Sequence, residues 1–458
     1  MENTEHALPP KEAKFDINEL FFSITDHAST ILCGNEVFVS ISGYREEELI
    51  GKFHNVIRHP DMPRIIFKTL WDYLQADKPI VAYVKNKTKE GGFYWVLAAV
   101  FPINDRYISI RIKPTSKIFA AVKEIYAKLL AAEEMGGMDE SGKILSELLN
   151  LNGYEDYDHF MNDALLQELG ERQKYVSNIT PNEDNNIVSP SLKKLKVVHG
   201  YSLDLMNQYD IWFEKIDFFL KVKSMFEEKG LKLRELARDI VFLSLNASVS
   251  SYKVASGGET FGVLASDIRL NAKENDTLIA DIDTVAHHFS LALNNIVFTV
   301  AGMRLQIEMV SYFIHEVSCK NSDLQIPGLI DKIFDLVGLI TQYSIYLRQL
   351  QGELAQYIQT VLKNLDQLEQ QMMYLGYIQV YGIIEAAGSY DESIRFGVIF
   401  SQLKSLVEET RNEIGIMQKV GENFSSENRH MTENSKVIDA LMNHLKEEMF
   451  TIKNMEES

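Results

Sequence analysis

From residue 191 onward the chain shows a heptad spacing of apolar residues, and this pattern constrains the fold more than any other feature of the sequence. The spacing alternates between three and four residues from Ile282 to Val317, and it returns from Leu336 to Leu375 with occasional polar interruptions. A strict 3.5-residue repeat keeps one apolar seam of each helix facing a partner. We therefore expect long α-helices that pack as a coiled coil or helical bundle.

Two interruptions divide this helical region into hairpins. Gly257 and Gly258 break the helical spacing, which resumes at Phe261, and this predicts a tight turn between two antiparallel helices. The segment CKNSDLQIPG, at residues 319–328, breaks the heptads a second time and predicts a connecting turn.

The second hairpin repeats the first, and each matched residue lies 135 positions after its partner, as Phe396 does after Phe261. We predict hairpin 1 at residues 191–318, with its tip at 250–260, and hairpin 2 at 329–458, with its tip at 385–395. Together they would form an antiparallel four-helix bundle within one chain. Such a chain imitates a dimer, so we expect a monomer in solution. The matched residues are Phe261-Gly262-Val263 with Phe396-Gly397-Val398, Ser266 with Ser401, Ile279 with Ile414, and Phe289-Ser290 with Phe424-Ser425.

The region before the hairpins consists of short strands and short helices, after a loose arm at residues 1–14. The predicted strands are 22–25, 29–33, 80–85, 94–102 and 107–113, and the predicted helices are 35–43, 46–50 and 63–75. This order resembles a PAS sensor domain over residues 15–116, an α+β fold whose five-stranded antiparallel sheet cups a ligand. A helical adaptor at 117–177, broken at two glycine-containing sites, and a polar linker at 178–190 are expected to follow.

Three motifs make the resemblance more specific: GNEVFVSISGY at residues 34–44, HNVIRHPDMP at 54–63 and YWV at 94–96. They resemble the flavin-binding PAS domain of bacterial aerotaxis receptors, over about residues 17–116. The resemblance implies FAD as the cofactor and a domain that reports redox state. It places the cofactor-linked positions of that family at Asn35, Arg58, His59, Asp61 and Trp71.

The residue types agree with such a site. A helix N-terminus beside Arg58 suits a pyrophosphate, and Trp71 can stack on a flat ring. The alternative is purely structural, with Arg58 and Asp61 as a local ion pair, His59 as a cap and Trp71 in the core. A haem bound by His27, His54 or His59 is a weaker alternative, because no spacing singles out one of these histidines.

Residues 241–269 resemble the signalling tip of bacterial methyl-accepting chemotaxis receptors. The rising helix keeps the Leu-x-Leu-Asn-Ala core at 243–247, the returning helix aligns without a gap, and the second tip has IEAA at 384–387. The resemblance implies that the tip binds a chemotaxis histidine kinase and its coupling protein. The positions that would make this contact are Leu245, Asn246, Lys253, Val263, Glu385 and Val398.

Two departures from the receptor pattern change what we expect of the tip. Arg238 replaces the phenylalanine that joins receptor trimers, and Ser250 replaces the tip glutamate of the first copy. A charge buried without a partner at a three-fold contact is strongly unfavourable. We therefore expect no receptor-type trimers and weakened kinase coupling.

Composition excludes other classes of function. Acidic residues outnumber basic ones by 65 to 46, for a net charge of −19, which argues against nucleic acid or an anionic membrane as a partner. The most apolar run, at 289–303, contains two asparagines and is shorter than the ~18–20 residues of a membrane span. Cys33 and Cys319 form no disulfide framework and suit a reducing cytoplasm. We find no phosphate loop, nucleophile elbow or metal-spaced ligand group, so we predict no enzymatic activity.

The sequence thus predicts a cytoplasmic PAS-containing sensor of redox state or oxygen that signals through protein contact at its tip, as a chemoreceptor does. The alternative is a scaffold or decoy, which would join receptor arrays or bind another regulator without switching a kinase, with or without a PAS ligand.

Overall fold

The computed structural model describes residues 11–175, 190–252, 258–318, 326–388 and 393–456. The α+β domain contains β1 (Phe21–Asp26), β2 (Ile31–Gly34), α1 (Glu36–Ser42), α2 (Glu46–Leu49), α3 (Arg64–Gln75), β3 (Ile80–Lys87), β4 (Phe93–Ile103) and β5 (Arg106–Ile112). All the strands and helices predicted here are present, with ends shifted by no more than two residues. A 3-10 turn at His54–Ile57 was not predicted.

The sheet has the order β2-β1-β5-β4-β3, and every neighbouring pair is antiparallel. The predicted five-stranded antiparallel sheet is therefore confirmed. The β4–β5 hairpin turns at Asn104, whose φ of 50° lies in the left-handed region that asparagine tolerates. The first strand lies between β2 and the last strand, β5, and the connection from β2 to β3 contains all three short helices.

Successive side chains of a strand point to opposite sides of the sheet, and here the two faces differ in character. One face presents polar side chains such as Ser23, Ser109 and Arg111 towards the short helices. The other presents large apolar side chains such as Phe22 and Phe101, both fully buried. We call these the cavity face and the outer face.

The predicted adaptor consists of α4 (Lys117–Leu151) and α5 (Tyr157–Tyr175). It covers the outer face at β3, where Phe119 stacks on Tyr83 with ring centroids 5.6 Å apart. The buried carboxylate of Glu168 accepts hydrogen bonds from the Tyr83 hydroxyl and from the backbone at the start of α4. At the predicted break, Gly137 leaves the helical conformation with φ 73°, although the helix continues on both sides.

Five helices follow: α6 (Pro190–Glu214), α7 (Ile216–Ser251), α8 (Gly258–Ser318), α9 (Ile326–Gly388) and α10 (Ser393–Glu456). The described chain forms two compact units. Unit 1 comprises Met1–Phe213, Val297–Leu347 and Lys436–Ser458, and unit 2 comprises Glu214–Ile296 and Arg348–Ser435. The rising helix of hairpin 1, predicted as continuous, is interrupted at Lys215.

In unit 1 the outer face of the sheet packs directly on α8 and α9. Phe22 meets Phe313 edge-on at 5.0 Å, and Phe101 meets Tyr343 at 5.4 Å. Gly302 permits this approach, because a Cβ there would lie 3.2 Å from the Phe101 ring. The PAS-like domain therefore contacts the long helices themselves and not only the adaptor.

In unit 2 four helical segments pack together, and residues matched by the repeat meet each other. Phe261 stacks face to face on Phe396, with centroids 4.0 Å apart and planes 9° apart. Phe289 meets its own counterpart Phe424 edge-on at 4.9 Å. Contacts between equivalent residues are what a local two-fold axis produces.

By length and composition, one described helix, Glu259–Val317, could cross a membrane. However, 94% of its most apolar window is buried within the protein, as is typical of a core helix. The glycine turn at 253–257, residues 319–325 of the connecting turn, residues 176–189 around the linker and the first ten residues of the arm lie outside the described residues.

Candidate functional site

A cavity of about 340 Å³ lies between the cavity face of the sheet and the short helices. This volume is at the lower end of the range typical of small-molecule sites, about 300–1,000 Å³. Helix α3 contributes an apolar wall that includes Phe67, Leu70 and Trp71. Polar side chains come from the sheet and from the 54–58 segment, which includes His54 and Arg58. No aspartate or glutamate lines the cavity.

Arg111 is the most unusual residue of the lining, because it is a cation that is only 3% exposed. Its guanidinium donates hydrogen bonds to the Ser109 carbonyl at 3.3 Å and to His54 Nε2 at 2.8 Å. It also lies over the rings of Phe21 and Phe38, at 5.8 and 5.5 Å from their centroids. Within the described residues it forms no ion pair with a carboxylate.

His54 is neutral and has a defined tautomer. Burial lowers its pKa to about 3, and the positive charge of Arg111 acts in the same direction. Because a guanidinium only donates, His54 Nε2 must accept and the ring proton must lie on Nδ1. Burial also lowers the pKa of Arg111, to about 10, so the arginine keeps its charge at neutral pH.

Two of the five predicted cofactor positions, Arg58 and Trp71, line this cavity. Arg58 lies over the Phe67 ring at 4.1 Å and donates to the Met62 carbonyl. Trp71 meets Tyr107 edge-on at 6.0 Å. Like Arg111, Arg58 forms no ion pair among the described residues. Burial lowers the pKa of Arg58, and the negative charge of Glu133 of α4 acts in the opposite direction.

The structure places Asn35 away from the cavity. Its side chain accepts a hydrogen bond from the Phe22 amide and donates to the Leu20 carbonyl, which fixes the start of α1 against β1. It also donates to Glu316 of α8 at 2.9 Å. Asn35 therefore lies at the contact between the domain and the long helices, within unit 1.

His59 and Asp61 also lie outside the lining. His59 Nδ1 accepts from the Asp61 amide, and the Asp61 carboxylate pairs with Lys85 at 2.6 Å rather than with Arg58. The hydrogen bond and positive charge of Lys85 lower the pKa of Asp61, and burial lowers the pKa of His59. The structure thus brings together only Arg58 and Trp71 of the five predicted residues.

The start of α3, where we expected a pyrophosphate to bind, is occupied by a carboxylate. Glu133 of α4 accepts from the Ile65 amide at 2.9 Å and pairs with Arg64 at 3.3 Å. An anion that entered this cavity would therefore depend on the arginine side chains and not on that helix terminus.

The haem alternative finds little support in the positions of the three histidines. His27 is exposed and stacks on Tyr107, His59 lies outside the lining, and His54 Nε2 is already engaged by Arg111. No group of three or more His, Cys, Asp or Glu within the described residues could hold a metal ion. Cys33 is not in the lining, and burial raises the pKa of its thiol to about 11.

The donors in the cavity fit a flat, acceptor-rich ligand such as a flavin. The Ser109 hydroxyl and the Asn86 amide nitrogen are buried and have no hydrogen-bond partner among the described residues. Together with the two arginines they are donors in the lining of the same cavity. A flavin ring offers acceptor atoms along one edge and an apolar body for the remainder.

Sequence reasoning missed Arg111, Ser109, Asn86 and the role of His54. The available signal was the alternation in RYISIRI at Arg106–Ile112, where Ser109 and Arg111 share one face and isoleucines the other. That pattern normally means a solvent-facing polar side. Here the apolar side is covered by other elements and the polar side lines the cavity, which periodicity alone does not distinguish.

The predicted tip positions lie in unit 2 and are accessible. Leu245 is 45% exposed, Val263 60% and Val398 53%, and Asn246 is also exposed. Glu385 is partly exposed, beside Tyr381. Lys253 lies outside the described residues. Near these positions in the sequence Phe242, Tyr252 and Ile384 are exposed as well, so several large apolar side chains of this unit are exposed.

Comparisons with known proteins agree with the geometry of the domain. Residues 32–110 match a family model described as a PAS fold. The chain is 41% identical over 114 residues to the aerotaxis receptor of Escherichia coli (strain K12), a match that covers 24% of this chain. It spans only 22% of the length of that receptor. The predicted PAS domain and its resemblance to an aerotaxis receptor are thus confirmed.

Some solved structures match part of this chain at low identity. A light-oxygen-voltage domain studied with a flavin analogue matches at 17% identity and a TM-score of 0.22, over 24% of this chain and 87% of that one. The light-state LOV domain of the blue-light photoreceptor Aureochrome1 matches at 21% and 0.20, over 22% of this chain and 85% of that one. Similarity at this level does not bear on function.

Proposed function

We propose that this chain, whose residues 32–110 form a PAS domain, is a cytoplasmic flavin-containing sensor of redox state or oxygen that signals as a chemoreceptor does. The observation that supports it most directly is the acid-free cavity with two arginines that lack carboxylate partners, in a domain 41% identical to that of an aerotaxis receptor. The chain acts by contact with a partner protein and catalyses no reaction.

In this proposal FAD is held by the residues that line the cavity. Arg58 and Arg111 supply positive charge, Ser109 and Asn86 supply donors, and Trp71 lies against the ring. When bound, FAD supplies a ring whose charge and hydrogen-bonding pattern change with redox state. The residues of this chain bind the ring, exclude water from it and respond to that change.

The response reaches the long helices through α1 and the outer face of the sheet. Phe38 of α1 packs on the Arg111 guanidinium, and Asn35 at the start of α1 donates to Glu316 of α8. The Glu36 amide donates to the same carboxylate at 3.0 Å. A displacement of α1 at the cavity therefore acts on α8 within unit 1, which requires a bundle with two packings of similar energy.

The proposed output is a protein contact made by the exposed apolar surface of unit 2. The partners would be a chemotaxis histidine kinase and its coupling protein, through positions that include Leu245, Asn246 and Val263. The contacts between Phe261 and Phe396 and between Phe289 and Phe424 support a pseudo-dimer formed by one chain. A monomeric mass by light scattering is expected, and a stable homodimer would contradict this part of the proposal.

A visible absorption spectrum of the purified full chain tests the input. We expect flavin bands that change on reduction, and Arg58→Met should weaken FAD binding at least tenfold, whereas the exposed Arg45→Met should not. A colourless protein that takes up no FAD would refute the sensor function. It would leave the scaffold alternative, for which the exposed apolar surface of unit 2 is sufficient.

The output is tested by capture of purified kinase and coupling protein on the immobilised chain. Val263→Arg and Asn246→Ala should each reduce capture, because both positions are exposed. Val437→Arg, which alters an exposed apolar residue in unit 1, is a matched control. Equal capture by all variants would place the output elsewhere on the chain.

A further inference from the structure

Arg111 is a buried cation without an anion, and this arrangement requires an explanation. Its side chain is 3% exposed, and no carboxylate among the described residues lies within ion-pair distance. Charged side chains are seldom buried unless an opposite charge or a ligand compensates them. Its observed partners are a neutral imidazole, one backbone carbonyl and two aromatic faces.

His54 does not provide the missing compensation. Its Nε2 accepts from Arg111 at 2.8 Å and also lies 3.2 Å from the Ser23 hydroxyl. An imidazole held in this tautomer orients the guanidinium but contributes no negative charge. Arg111 is thus fixed in position by uncharged groups, and it lines a cavity that has no acid in its lining.

The neighbours of Arg111 indicate what kind of group it faces. Ser109 lies on the same face of β5 and Ser23 is its cross-strand neighbour on β1, so this part of the cavity is lined by hydroxyls. The Ser109 hydroxyl is buried without a partner. A ligand edge rich in acceptors satisfies these donors, and a ligand edge that becomes negative also compensates the guanidinium.

We propose that Arg111 binds the acceptor edge of the flavin ring and stabilises the negative charge that this edge gains when the ring is reduced. The inference rests on the proposed flavin function. It assigns Arg111 to the ring of the flavin and not to the phosphates. Reduction adds two electrons and one proton to the oxidised ring and gives a monoanion. The guanidinium next to that anion is compensated for the first time, so its hydrogen bond to His54 and its contact with Phe38 of α1 change.

The test compares the full chain with Arg111→Met and Arg111→Gln, each loaded with FAD. Gln keeps a donor for His54 without the charge, so it serves as the second variant if Met disturbs the fold. Arg45→Met removes the same charge from an exposed position, with 74% of the side chain accessible, and is the matched control. Dithionite supplies the two electrons and is oxidised to sulfite, while water supplies the proton.

The preference of the protein for reduced over oxidised flavin should fall at least tenfold in both Arg111 variants. For a two-electron couple this is a downward shift of about 30 mV in the midpoint potential. Riboflavin and FAD should lose affinity by the same factor, because Arg111 acts on the ring that they share. Without ligand, Arg111→Met should melt at the same temperature as the wild type or higher, since an uncompensated buried charge has been removed.

Three results would overturn this assignment, and each has a different meaning. An unchanged midpoint potential, in chains that bind FAD, would show that Arg111 does not act on the ring, and the flavin function would stand. A loss of affinity confined to FAD would assign Arg111 to the phosphates. Failure of the wild-type chain to bind either flavin would refute the proposed function together with this inference.

Discussion

Removing the Glu316 carboxylate should loosen α1 of the PAS domain, although Glu316 lies 280 residues away in the sequence. This carboxylate accepts from Asn35 Nδ2 at 2.9 Å and from the Glu36 amide at 3.0 Å. Asn35, the residue before the first turn of α1, makes no capping hydrogen bond with its own side chain. The Glu316 carboxylate instead accepts from a backbone amide at the start of this helix. We consider the variants Glu316→Ala and Glu316→Gln.

The size of the effect follows from these two bonds. A hydrogen bond to a charged group contributes about 1.5–3 kcal/mol when it is buried. Glu316 is only half-buried, and Asn35 Nδ2 keeps its bond to the Leu20 carbonyl, so water and the remaining partner recover part of the loss. We therefore expect the opening of α1 to become easier by about 1–2 kcal/mol, or about 5–30-fold. Glu316→Gln retains one acceptor and should have a smaller effect.

Hydrogen exchange followed by mass spectrometry measures this opening directly. Peptides that cover residues 35–42 should exchange about 5–30-fold faster in Glu316→Ala, while peptides from β3 and β4 keep their protection. Glu47→Gln is the matched control, because it removes a carboxylate from the neighbouring helix α2 where the side chain is 82% exposed. A change in exchange of less than twofold in Glu316→Ala would refute the claim that α1 transmits the response to α8.

Three further predictions concern stability. Phe261→Ala and Phe396→Ala should each reduce the free energy of unfolding by about 3–5 kcal/mol. The double variant should lose less than the sum of the two, because the two rings share one contact. Full additivity in urea-unfolding experiments would contradict the stacking. Gly382→Ala should destabilise unit 2, since its Cβ would lie 2.2 Å from the Phe400 ring. In the same helix, a Cβ at Gly376 would have no neighbour within 4 Å, so Gly376→Ala should raise the stability by about 0.5–1 kcal/mol. Burial lowers the pKa of His54 to about 3, so between this value and about 6.5 the unfolded chain binds more protons at this site. Stability therefore falls as pH falls, by up to about 1.4 kcal/mol per pH unit from this residue. His54→Gln should reduce the pH slope of the urea midpoint by this contribution, while the contribution of His199, whose pKa is also lowered by burial, remains.

Much of the fold follows from two periodicities. Short apolar runs bounded by turn signals located all five strands, and the 3.5-residue repeat located the long helices. The interruption at Lys215 was missed because it introduces no glycine or proline and leaves the apolar spacing intact. The repeat was recognisable from identical residues 135 positions apart in the sequence. The structure adds that the matched phenylalanines contact each other.

The candidate site was harder to predict because it depends on which face of each strand is covered. Arg58 and Trp71 line the cavity, but Asn35, matched to the same family, contacts the long helices. A match to a family motif does not determine which residues a side chain contacts when another helix packs against the domain. In the same way, nothing in the sequence near Arg111 reveals that its partner is the neutral His54 and not a carboxylate.

The pseudo-symmetry of the repeat makes the single PAS domain a source of asymmetry. In a homodimer, a sensor contact on one subunit has an identical counterpart on the other. Here the repeat places Thr451 opposite Glu316, and Thr451 is exposed and bonds only within its own helix, to the Glu447 carbonyl. It has no carboxylate with which to accept from an Asn35-like side chain. In the proposed mechanism, the contact of Asn35 would therefore act on the returning helix of hairpin 1 and not on its counterpart in hairpin 2.

The contacts between α9 and the domain also lack counterparts at the positions matched by the repeat. Lys332 donates to the Gly34 carbonyl, and Asp335 pairs with Arg106 of β5 at 2.8 Å. The repeat places Val197 and Gly200 at the equivalent positions of hairpin 1, and neither has a charge to offer. These polar contacts to the domain lie at the end of α8 and the start of α9, on either side of the connecting turn. In the proposed mechanism, a shift of α1 or β5 would therefore act on the end of α8 and the start of α9, one helix from each hairpin, and not on two identical subunits.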